Sequence, residues 1–172
     1  MDSIFGENDN VDQQTGLKEH DPQTLAQLKG GANWFYWIAG LSLINSAIFA
    51  FGGEVNFIAG LAYTQIIDAI FEMSVSQGAP TALRGVAIVM DLILVAIFAL
   101  FGYFANKAIN AVFIVGMVVY FVDGIIWLLL GSYFAAGFHV FALIMIGKGF
   151  MASREVAAVN AHNAIAGRAI SS

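Results

Sequence analysis

Cysteine is absent from the chain. Disulfides, thiolate metal sites and thiol nucleophiles are excluded with it, although no compartment is identified by that absence. Charge is scarce as well. Only 11% of the 172 residues are Asp, Glu, Lys or Arg, where an ordinary soluble domain carries about 25%. The seven basic residues form no cluster, so neither nucleic acid nor an anionic lipid surface is a natural partner. No GxGxxG, Walker, HExxH or GxSxG pattern occurs, which leaves nucleotide binding, zinc hydrolysis and serine-elbow chemistry without a motif. The length suits one domain and leaves no room for a separate soluble catalytic module.

What is present is apolar. Hydrophobic residues make up 59% of the chain, and they are gathered into long runs. The expected fold is an all-α integral membrane protein, a four-transmembrane-helix bundle with spans near 33–52, 85–105, 109–131 and 133–150. A span needs roughly 20 residues at 1.5 Å each. The last run qualifies if Lys148 snorkels toward the interface.

Residues 1–31 are polar and hold six of the twelve acids (Asp2, Glu7, Asp9, Asp12, Glu19 and Asp21). They read as a disordered acidic tail, not as a cleaved signal. Within it, Asp21-Pro22 opens a short helix over 23–29 that Gly30-Gly31 should break. Residues 32–150 form the membrane domain. Residues 151–172, rich in alanine, read as a cytoplasmic tail helix.

Residues 54–76 are amphipathic. Thr64, Gln65, Asp68 and Glu72 recur at helical spacing, and the segment is expected to lie at the interface or to re-enter. Basic residues argue against its crossing. With four spans, Lys18, Lys29, Lys107, Lys148, Arg154 and Arg168 fall on the inner side and Arg84 alone on the outer. With five, the balance is four against three. Four spans place both termini in the cytoplasm and the chain in the cell membrane. Trp34 to Trp37, Tyr103 with Phe104, and Trp127 with Tyr133 then form aromatic belts at the two interfaces.

This topology puts one strongly polar residue per span at one depth. Asn45, Asp91, Asp123 and His139 each lie seven or eight residues from an outer span end, so all sit about 10 Å below the outer surface. A lone acid inside a helix costs roughly 2.5–3.5 kcal/mol on insertion scales, so these four should face inward and find partners. Small and polar positions mark the seams: Gly116, Tyr120, Asp123, Gly124, Trp127 and Gly131 on the third span; Asp91, Val95, Phe98 and Gly102 on the second; Ala135, His139, Ala142, Leu143 and Ile146 on the fourth. Ser42 and Ser46 flank Asn45, and serines in spans commonly bond their own backbone at i−4.

The layer reads first as structural. It also reads as a proton-linked or small-ligand pocket, with Asp68 and Glu72 as a charged rim or simply a solvated face. Asp, His and Asp are acceptable to a divalent ion, yet they stand on different helices without a spacing motif, so no metal and no cofactor is expected. The leading expectation is a non-enzymatic membrane subunit or scaffold, self-associating or part of a membrane complex, with the lipid bilayer as its other partner. The alternatives are a small oligomeric transporter or channel, proton- or cation-linked through Asp91, Asp123 and His139, and a membrane enzyme acting on a lipid.

Overall fold

A computed structural model describes residues 18–51 and 60–171. The readings for Asp2, Glu7, Asp9 and Asp12, and for residues 54–59 of the amphipathic segment, lie outside these residues. Among the described residues the chain is all helical, with no strand. Its five helices are α1 (Pro22–Ala50), α2 (Ala62–Ser76), α3 (Ala82–Ala105), α4 (Asn110–Leu129) and α5 (Tyr133–Ser171).

α1 starts where capping dictates. Asp21 accepts a hydrogen bond from the Thr24 amide at 2.9 Å, and Pro22 occupies the first turn, where its missing N–H costs nothing. The helix then runs unbroken through Gly30-Gly31, contrary to the expected break. These glycines serve a crossing. A Cβ on Gly31 would lie 2.4 Å from the Gly149 Cα, so α1 and α5 touch backbone to backbone there. α5 is likewise one helix of 39 residues. The expected separate tail helix beyond residue 150 is its direct continuation, because no proline follows to stop it.

α1 packs most extensively against α3 and α5, and α4 packs mainly against α5. Tight turns at 106–109 and 130–132 make the helices they join antiparallel. The start of α1 lies beside the far part of α5: the Lys18 amide donates to Asn163 Oδ1 at 2.8 Å, and Asn163 Nδ2 donates back to the Lys18 carbonyl at 2.9 Å. α2 packs on α3 and reaches α1 and α4.

The packing is inside out relative to a water-soluble protein. Asp91 and Asp123 are 0% exposed, whereas Ile93, Val118 and Ile144 are more than half exposed. Only lipid makes that distribution favourable. Among the described residues, three helices are long and apolar enough to cross a bilayer: α3, α4 and α5. This is a membrane protein. α1 is not among the three, its apolar stretch being diluted by Ser42, Asn45 and Ser46. The centre of the bundle is aromatic. Phe35 is fully buried, with Phe98, Phe101 and Phe113 rings 5.8–6.4 Å away, and Gly116 leaves the notch that admits it.

Replacing Gly31 by valine should therefore force α1 off α5 and cost about 1–3 kcal/mol, in the range of overpacked cores. Gly30→Val is the control, since nothing lies within 4 Å of a Cβ there. Thermal unfolding in detergent should show a clear drop for the first and a much smaller one for the second.

Candidate functional site

α1 presents Ser42, Asn45 and Ser46 on one face, the i, i+3, i+4 spacing of neighbouring turns. α3 contributes Asp91, α4 contributes Asp123 and α5 contributes His139; all six side chains are buried. Most of the inward positions read from the sequence pack, with Val95, Gly124, Trp127 and Leu143 half-buried, but Gly131 at the end of the third span is exposed. Asp91, Phe98 and Gly102 are buried on α3, Gly116, Tyr120 and Asp123 on α4, and Ala135, His139, Ala142 and Ile146 on α5.

The amphipathic helix enters this layer by its N-terminus. Leu61, Ala62 and Thr64 are essentially inaccessible, so the first backbone N–H groups of α2 cannot reach water. Each buried donor left without a partner would cost about 1–3 kcal/mol. The N-cap residue, Leu61, has no side chain able to help. Other helices supply the acceptors. Asp123 Oδ2 accepts from the Ala62 amide at 2.9 Å, and Oδ1 accepts from the Tyr63 amide at 3.1 Å. The Leu61 amide donates to Ser42 Oγ at 3.0 Å. A carboxylate at a helix N-terminus is also favoured by the helix dipole.

His139 completes this cluster. Its Nδ1 lies 2.8 Å from the Ala135 carbonyl, an oxygen that can only accept, so Nδ1 carries a hydrogen. Its Nε2 lies 2.8 Å from Asp123 Oδ2, and one proton sits between those two atoms. The Tyr120 ring stacks on the imidazole at 4.2 Å. A Cβ on Gly124 would meet the His139 Cβ at 2.9 Å, so the glycine opens the space that lets the imidazole approach.

A second cluster lies on the other side of the α2 entry. Ser46 Oγ donates to Asp91 Oδ2 at 2.6 Å. Asp91 also meets the carboxyl of Asp68 from α2 within hydrogen-bonding reach. The Oδ1 atoms of both acids are buried and have no donor among the described residues, which is the arrangement of two carboxyls sharing one proton. Asn45 lies between the clusters, its amide against Gly60, where a Cβ would come within 2.1 Å of Nδ2.

The four residues expected in one layer are thus all buried, but they fall into two clusters. The charged rim divides. Glu72 is on the surface in a two-bond ion pair with Arg84 at 2.6 and 2.7 Å, whereas Asp68 is 5% exposed and faces inward. A solvated face is thereby the wrong description of Asp68. Ser42 donates to its i−4 carbonyl at Ile38, as expected of a serine in a span. Ser46 instead crosses to Asp91, a role its spacing beside Asn45 signalled only weakly. Sequence reasoning missed Ser42 as an acceptor for α2, because backbone donors leave no mark in a sequence.

Two cavities adjoin the layer. An apolar groove of about 310 Å³ runs between α4 and α5, with His139 in its wall beside Phe121 and Val140. A second, of about 340 Å³, lies among α1, α2 and α4, and Gln65, Asp68 and Trp127 line it. No group of three His, Cys, Asp or Glu able to hold a metal occurs among the described residues.

Compared with protein-family models, with curated proteins and with solved structures, the chain matches none.

α2, with 15 residues, is too short to cross a hydrocarbon core of about 30 Å. Burial of Asp68 on it, and then the charge of Asp91, push its carboxyl up to about 7. The folded protein therefore holds a proton there that the unfolded chain releases near the ordinary value of 3.8. That advantage is complete below the ordinary value and is lost as pH rises through about 7. Asp91 from α3 is the titratable group facing it, with Asp123 beyond at the α2 N-terminus. The melting temperature in detergent should fall between pH 5 and 8, and Asp68→Asn should flatten that part of the profile.

Proposed function

We propose that this chain is a non-enzymatic, four-span membrane protein, a subunit or self-associating scaffold, whose intramembrane polar layer is architectural. The observation that carries this reading is the double acceptance of the Ala62 and Tyr63 amides by Asp123. The carboxylate's hydrogen-bonding capacity, with His139 beside it, is committed to holding a re-entrant helix. A group engaged in this way is poorly placed to bind and release a substrate. The same commitment counts against a lipid-acting enzyme built on Asp123 and His139.

In this reading α1 is the fourth span. Its 29 residues give about 43 Å of helix, enough to cross, and its pairing with α3 and α5 lets its polar face turn away from lipid. The contact between Lys18 and Asn163 brings both helix ends to one side, in keeping with an even number of crossings. Basic residues place that side in the cytoplasm. Cysteines introduced at Ser76 and Ser132 should both be labelled by an impermeant reagent from outside; labelling of 132 without 76 would overturn this arrangement.

The decisive measurement is thermal unfolding of Asp123→Leu and Asp123→Asn in detergent. Leucine leaves two amides without an acceptor and His139 without its partner, so a loss of about 3 kcal/mol or more is expected. Asparagine keeps one acceptor and should fall between leucine and wild type. A leucine variant melting at or above the wild type would sink the architectural reading.

A second reading, proton- or cation-linked passage, is favoured at one place, the Asp68–Asp91 pair with its two donor-less oxygens. It requires that Asp91→Asn abolish pH-driven flux through protein reconstituted in vesicles.

A further inference from the structure

The hairpin of α4 and α5 leaves a groove of about 310 Å³ along its side. Its walls repeat at helical spacing: Phe121, Ile125 and Leu128 on α4, and Tyr133, Gly137 and Val140 on α5. Stripes of that spacing run along the helix axes, so the groove does too. From Tyr133 to Leu143, the ends of its lining on α5, the rise is about 15 Å. Tyr133 follows directly on the turn at 130–132, which joins two helices apolar enough to cross a bilayer. An irregular turn of that kind has to stand at the membrane surface. The groove therefore starts at the surface and descends through about one leaflet, half of a hydrocarbon core of about 30 Å.

Chemistry and shape select what fills it. Ordered water needs several polar partners, and the lining has only two polar side chains, Tyr133 at the surface end and His139. The imidazole is nearly inaccessible, with Nδ1 committed to the Ala135 carbonyl and Nε2 to Asp123. An apolar occupant is what remains. Spread over about 15 Å, the volume leaves a cross-section of about 20 Å². That is the girth of one extended hydrocarbon chain, whereas a helix of a second copy is about 10 Å thick and cannot enter. The groove is also continuous with the lipid-facing surface, since its lips, Phe121 and Val140, are more than half exposed. Nothing lies within 4 Å of a Cβ built on Gly137, so the space there is open.

We propose that the groove between α4 and α5 binds one acyl chain of a bilayer lipid, laid along Gly137 from Tyr133 at the surface to Phe121 and Leu143 at depth. The site requires only that α4 and α5 cross the bilayer, and it does not rest on the architectural reading of the polar layer.

The test uses the full chain in vesicles of dioleoyl phosphatidylcholine, a small share of it carrying a diazirine at the end of one acyl chain. The protein is extracted into dodecyl maltoside and freed of unbound lipid. Native mass spectrometry should then count one phosphatidylcholine retained per chain. Irradiation should place the diazirine adducts at the deep end of the groove, on residues 121–125 or 140–143. Gly137→Leu puts a side chain where the acyl chain lies and should retain no lipid. Gly147→Leu is the control: its Cβ also meets nothing within 4 Å, but the position lies outside the groove, so its lipid should stay. Both variants should melt within a few degrees of wild type, and the adduct map on the unaltered chain needs neither of them. No retained lipid on the wild type, adducts spread over other helices, or a lipid kept by folded Gly137→Leu would overturn the site. So would loss of the lipid from both variants, or a wild-type dimer that Gly137→Leu splits.

Discussion

A helix that begins inside a membrane protein has to find acceptors for its first amides without water. The rest of this structure is arranged around that constraint. α2 starts at depth, and Asp123 receives two of its amides while Ser42 receives a third. Once those bonds exist, much else follows. α4 has to turn Asp123 inward, α5 has to set His139 against it, and Gly124 has to be small enough to let the imidazole close. Short half-helices with N-termini aimed at an anion recur in transporters, where the anion is a substrate. Here the protein supplies the anion itself.

The same constraint shows why the polar layer separates into two clusters of different character. Around Asp123, donors and acceptors are matched, which in a low dielectric is what makes a polar network stabilising. Around Asp91 they are not matched, because α2 delivers a second acid, Asp68, to a site already holding one. A buried acid pair of this kind is costly to a fold and is more often retained for binding or proton exchange than for packing. The fully matched and the incompletely matched cluster lie about one and a half helix turns apart along α2.

Much of this was legible in the sequence. The lipid-facing surfaces follow from composition, and the inward faces of α3, α4 and α5 follow from helical spacing around Asp91, Asp123 and His139. Depth alone brought Asp91, Asp123 and His139 to one layer, but which acid meets the histidine came only from the packing. Three features were not legible. Gly30-Gly31 reads as a break, because a glycine that allows close packing and one that ends a helix look identical without the partner; Gly149 lies more than a hundred residues away. The depth of α2 was open because its partners are backbone amides, which every residue carries. Asp68 and Glu72 look equivalent at i and i+4, yet a helix lying obliquely on a bundle buries one and exposes the other, and only the position of α3 decides which.

α5 has one further consequence. It contains no joint from Tyr133 to Ser171, so His139 in the polar layer and Asn160 and Asn163, some 30–36 Å away by helix rise, belong to one rod. Asn160 meets His20 and Asn163 meets Lys18 at the far end, and the crossing at Gly31 and Gly149 stands between like the pin of a pair of scissors. The polar layer and the contacts at the far end are therefore carried by one uninterrupted helix, with no joint between them.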